Sequence, residues 1–119
     1  MSQPGGQVIV NNAVTNTALL VVSGRRQIVA ARFIATAAIT GDQYLQMFDA
    51  AAIASVTLGT TKPTWVVMAD GATGQTSLGD GLPTHGLIFD NGIVIAITAN
   101  AEDAAAATPT TADVRIVVI

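Results

Sequence analysis

Runs of β-branched and aliphatic residues recur along this chain, each about a strand long and most closed by a turn-forming residue. The run at 17–23 stops at Gly24, and the one at 27–37 gives way to Thr40-Gly41-Asp42. The run at 43–49 meets an Ala-rich link, and the one at 64–69 ends at Asp70. Residues 86–89 run into Asp90-Asn91-Gly92, a tight turn of the hairpin kind, and 93–99 and 112–119 complete the series. Turn signals at intervals of about 8–12 residues predict an all-β sandwich or barrel. There is no βαβ pattern, no repeat of solenoid period and no dividing linker, so 119 residues make one domain.

Alternation assigns faces within the strands. In the 27–37 run, Val29, Ala31, Phe33 and Ala35 form the expected core face, opposite Ala30, Arg32, Ile34 and Thr36. The 43–49 run carries large groups on both faces (Leu45 and Met47 against Tyr44, Gln46 and Phe48), which predicts a central strand. The 17–23 run reads as a strand buried on both faces. In the last run Val114, Ile116 and Val118 point one way. Asp113, Arg115, Val117 and Ile119 point the other, and the apolar end of that set predicts a covered edge. Residues 50–55 suit a helical turn, and 70–84 and 101–109 read as loops, with a short strand near 76–78. Residues 1–12 read as a flexible arm that Pro4-Gly5-Gly6 loosens, and 13–119 as the folded domain. Within the arm, Val8, Ile9 and Val10 suit an edge strand or a peptide that docks on a neighbour.

The charged fraction is 11%, against roughly 25% in an average soluble domain. A small domain has much surface to coat, so this deficit predicts a neutral polar coat together with burial against other chains. Five Lys and Arg against eight acids leave a net charge of −3 and no basic stripe, which argues against nucleic acid as a direct partner. Without cysteine there is no disulfide or thiolate metal site. No apolar run approaches the ~20 residues of a membrane helix, and the N-terminus lacks the pattern of a secretory signal.

No reaction is spelled out. His85, the sole histidine, sits between a proline turn and a glycine and reads as a surface residue rather than a general base. Asp49, Asp70, Asp80 and Asp90 adjoin turn or Ala-rich segments and read as turn builders. A calcium loop from Asp70 would need oxygen ligands at Ala72 and Gly74 and fails at both. The glycines at 71–86 fit neither a dinucleotide fingerprint nor a P-loop. No catalytic residue, metal or cofactor is therefore assigned, and an enzyme is not expected. Arg25-Arg26 suits a partner carboxylate or a solvated turn, and Trp65 suits core and interface equally. The candidate interface comprises Val8, Ile9, Val10, Arg25, Arg26, Trp65, Val117 and Ile119.

The order of elements carries a resemblance. Gly24-Arg25 precedes a long strand, then come Tyr44 and Phe48-Asp49, an Ala-rich link, Leu58-Gly59-Thr60-Thr61-Lys62-Pro63 and the strand from Trp65 to Met68. Gly86-Leu87-Ile88-Phe89 and Asn91-Gly92-Ile93 follow. This resembles small β-sandwich virion proteins of tailed bacteriophages, the capsid cement or decoration proteins among them. The resemblance implies a jelly-roll-like antiparallel β-sandwich that works as a homo-oligomer, expected to be a homotrimer, on the outer surface of a phage head. The major capsid protein would be its partner, with no membrane or nucleic-acid contact and no cofactor. A tail, head–tail junction or fibre-base role is the alternative. A carbohydrate-binding sandwich ranks below both, because 4% aromatics leave little for sugar stacking.

Overall fold

The computed structural model describes residues 7–14, 17–35, 43–69, 86–98 and 112–119. Eight strands follow in chain order: β1 (Gln7–Val14), β2 (Leu19–Ser23), β3 (Arg26–Ala35), β4 (Gln43–Asp49), β5 (Trp65–Ala69), β6 (Leu87–Phe89), β7 (Gly92–Thr98) and β8 (Ala112–Val118). They form two four-stranded antiparallel sheets, β1-β8-β3-β6 and β2-β7-β4-β5. The pairing is nested: β4 bonds β5, β3 bonds β6, β2 bonds β7 and β1 bonds β8. Each connection except β4–β5 therefore carries the chain from one sheet to the other.

The two sheets share one core. Ile28, Ala31, Phe89, Val114, Ile116 and Val118 of the first sheet meet Val22, Leu45, Met47, Val67, Ile93, Ile95 and Ile97 of the second. Alternation supplies these residues, since Ile93, Ile95 and Ile97 share one face of β7 and Val114, Ile116 and Val118 one face of β8. All seven residues of β7 are buried.

Four expectations change. The strands buried on both faces are the central β7 and β4, whereas β2 is an edge strand and is mostly half-buried. Val29 is exposed rather than in the core. Ile28 pairs with Val118 but Ala30 with Val117, so an extra residue bulges from β3 and shifts its alternation by one. Asp90-Asn91-Gly92 does not close a hairpin but crosses from β6 in one sheet to β7 in the other. A Cβ at Gly92 (φ +150°) would lie 2.6 Å from the carbonyl oxygen of Ala50 and 2.8 Å from that of Val22, so this crossing requires glycine. Finally, strand β1 begins at Gln7, which places residues 7–12 in a sheet rather than in an arm. The helical turn at 50–55 is a single 3-10 turn, Ile53–Ser55. His85, Asp70, Asp80, the glycine-rich loop and the 76–78 segment lie outside the described residues.

Candidate interaction surface

The outer faces of the two sheets differ in what covers them. Outside the second sheet, Phe48 and Val94 pack against Ala50 and Val56, with Ala18, Leu20 and Leu58 around them. The cover comes from the long β4–β5 connection, whose Val56 and Leu58 fold back over the sheet. Gln46 and Thr98 are on this same face, fully buried, with Gln46 Nε2 donating to Thr98 Oγ1 at 2.7 Å.

Among the described residues, no segment covers the outer face of the first sheet. The register sets Val8 beside Val117 and Val117 beside Ala30. In the row above, Val10 pairs with Arg115, and Arg115 with Arg32 in the ladder. In the row below, Gln27 pairs with Ile88 on one side and exchanges backbone hydrogen bonds with Ile119 on the other. Six large hydrophobic residues are exposed among the described ones. Five of them, Val8, Val10, Val29, Ile88 and Ile119, belong to this face, and Val8 at 55% and Ile119 at 53% are the most open. Aliphatic side chains gathered in this way make a candidate interaction surface, whereas the same residues scattered would mean nothing.

Arg25, Arg26, Gln27, Ile88 and Ile119 line a groove of about 170 Å³ at one end of this face. Arg25 Nε donates to Asp90 Oδ1 at 3.0 Å, with both side chains well exposed, so this ion pair contributes little to stability. Arg26 Nη2 donates at 2.9 Å to Gln7 Oε1, a neutral acceptor.

The structure thus gathers Val8, Val10, Arg25, Arg26, Val117 and Ile119 on or beside one surface. Ile9 is not on it, because alternation turns it inward opposite Ile116. Trp65 is not on it either. It starts β5, the far edge of the other sheet, and packs half-buried on the core. Its indole N–H is buried and finds no acceptor among the described residues. Sequence reading missed Val29, Ala30 and Ile88 as members of the surface. The strand order that unites them with Val8 is non-local and has no signature in any one segment.

A second concavity of about 330 Å³ is lined by Asp49, Ser55, Lys62, Thr64 and Asn91, among others. Its carboxylate is already committed. Asp49 Oδ2 accepts from the Asp90 N–H at 3.0 Å, and Oδ1 accepts from the Asn91 N–H at 2.8 Å and from Asn91 Nδ2 at 3.3 Å. Burial pushes the Asp49 carboxyl up, but the donors of Asp90, Asn91 and Gly92 outweigh it and hold the group below its ordinary value. Asp49 therefore pins the crossing between the sheets. No group of three or more His, Cys, Asp or Glu capable of holding a metal occurs among the described residues.

No family model matches this sequence, and no curated protein and no solved structure matches it either.

Proposed function

We propose that this protein is a virion structural component, a cement or decoration protein that binds the outer surface of a phage head as an oligomer and ties neighbouring capsid subunits together. The exposed aliphatic residues on the outer face of the first sheet, in a chain only 11% charged, are the observation that carries this reading. A small domain with few charges and a sheet face that exposes five large aliphatic residues is suited to losing surface to partners. The nested pairing of eight strands, with sheet orders β1-β8-β3-β6 and β2-β7-β4-β5, supports the finer assignment of a jelly-roll-like sandwich, an architecture that recurs in viral capsid proteins. The mechanism is burial of aliphatic and neutral polar area across subunit boundaries. Each contact is weak alone, and linking copies in an oligomer, a trimer in this reading, multiplies them.

The test mixes the purified protein with heads of the encoding phage from which this chain has been stripped. Saturable co-sedimentation and greater resistance of the heads to heating are expected. Heads that sediment without it overturn the cement role, and recovery on tails instead moves the protein to the tail. Light scattering on the free protein reads the oligomer, and a monomer at high concentration removes the trimer.

A further inference from the structure

The crossing from β6 to β7 holds Asn91 followed by Gly92, a sequence whose own chemistry the fold has to contain. Glycine has no side chain to shield its peptide nitrogen, so that nitrogen can reach the side-chain carbonyl carbon of a preceding asparagine. Attack of the Gly92 nitrogen on Asn91 Cγ forms a carbon–nitrogen bond and expels the side-chain amide as ammonia, which takes up the peptide proton. The succinimide ring that results is opened by water at either carbonyl, leaving aspartate or isoaspartate at position 91. Asn91 is exposed, so water reaches it.

The fold holds each reacting group away from the other. The peptide that joins Asn91 to Gly92 is tied at both ends. Its carbonyl oxygen accepts from the Gly24 N–H at 3.2 Å, and its N–H donates to the Asp49 carboxylate. An anionic acceptor makes that N–H harder to deprotonate, and a carboxyl held below its ordinary value is too weak a base to take the proton itself. The side-chain amide is tied to the same carboxylate, with Asn91 Nδ2 donating to Asp49 Oδ1 at 3.3 Å and the Asn91 N–H to that oxygen at 2.8 Å. Beyond the peptide, the Gly92 carbonyl accepts from the Ala50 N–H at 3.3 Å, and Gly92 is buried.

We propose that Asn91 is a latent modification site, kept closed by the Asp49 carboxylate in the intact fold and converted to aspartate or isoaspartate when the crossing opens. Asp49 is a positioning residue in this scheme. The conversion runs one way. Either product replaces the Nδ2 donor with a second carboxylate facing Asp49, and like charges repel. Isoaspartate also lengthens the backbone by one carbon beside Gly92, where the carbonyl oxygens of Ala50 and Val22 leave no room even for a Cβ. A crossing that has reacted therefore does not close again in its former geometry. The site is independent of the virion role.

The test incubates the protein in mildly alkaline buffer, digests it and follows the peptide that carries residue 91 by mass spectrometry, with an isoaspartate methyltransferase assay for the isomer. Conversion in folded wild type is expected to be at least about tenfold slower than in the chain unfolded in guanidinium chloride. Asp49→Ala should lose most of that protection. Thr98→Val weakens the opposite end of β7 and leaves the clamp intact, so it should keep the protection. Asp49→Asn retains an oxygen acceptor without the charge, and a rate between those of wild type and Asp49→Ala is expected; it serves alone if Asp49→Ala does not fold. Equal rates in folded and unfolded wild type overturn the closed site. Conversion in the Asp49 variants no faster than in wild type, or equal acceleration by Thr98→Val, overturns the clamp.

Discussion

The two sheets have similar inner faces and opposite outer ones. Behind the second sheet the chain makes a long excursion between β4 and β5, and Val56 and Leu58 seal Phe48 and Val94 into a small second core. Behind the first sheet no described segment returns, and Val8, Val10, Val29, Ile88 and Ile119 stay open. The same residue types thus serve stability on one face and remain available for contact on the other. What decides between them is whether the chain comes back over the sheet.

Substitutions of equal chemistry should therefore differ sharply in cost. Phe48→Ala opens a cavity under the cover of the second sheet and is expected to cost about 3–5 kcal/mol in urea unfolding. A cost below 1 kcal/mol would mean the cover does not hold. Thr98→Val removes the acceptor of a buried amide on that same face, so a loss of about 1–3 kcal/mol is expected from the same measurement.

Asp49→Ala frees the crossing between the sheets and should cost about 1–2 kcal/mol at neutral pH. The sign of its pH dependence follows from the lowered folded-state value. The contribution is present above the ordinary carboxylate range and is lost as pH falls below about 4 through the folded-state value, because the unfolded chain takes up the proton first. Stability curves of wild type and variant should converge in acid, and parallel curves would show that Asp49 does not pin the turn. Smallest of all, Val8→Ala and Ile88→Ala on the open face should each shift stability by about 0.5 kcal/mol or less. A large loss at either would show that the face is covered in the free protein.

The all-β class and most strand positions were legible because alternation is local: Leu45 and Met47, or Val114, Ile116 and Val118, declare their face within a few residues. Turn chemistry was half legible. Asp90-Asn91-Gly92 announces a reversal, but the same residues serve a hairpin and a crossing between sheets, and only the pairing partners distinguish them. The bulge at Ile28–Ala30 was silent, since an extra Val among Val and Ala leaves no mark, and it moved Val29 from core to surface. The surface was legible in part. Val8, Val10, Val117 and Ile119 stood out as apolar residues in outward or arm positions, whereas Ile88 and Ala30 join them only through the order β1-β8-β3-β6.

The nesting of the strand pairs also bears on how the chain acquires its shape. Only β4 and β5 are both bonded and consecutive in the chain, so their ends meet across the shortest closure. Each further pair, β3 with β6, β2 with β7 and β1 with β8, lies outside the one before it, and each needs a longer loop to close. Folding is expected to start at β4–β5 and zip outward, at the slow rate of sheets built from distant partners. Pulse-labelled hydrogen exchange would show this as protection of β4 and β5 before β1, and early protection of β1 would contradict it. Strand β1 is then the last to dock, so the newest part of the fold is also the part that carries the exposed Val8 and Val10.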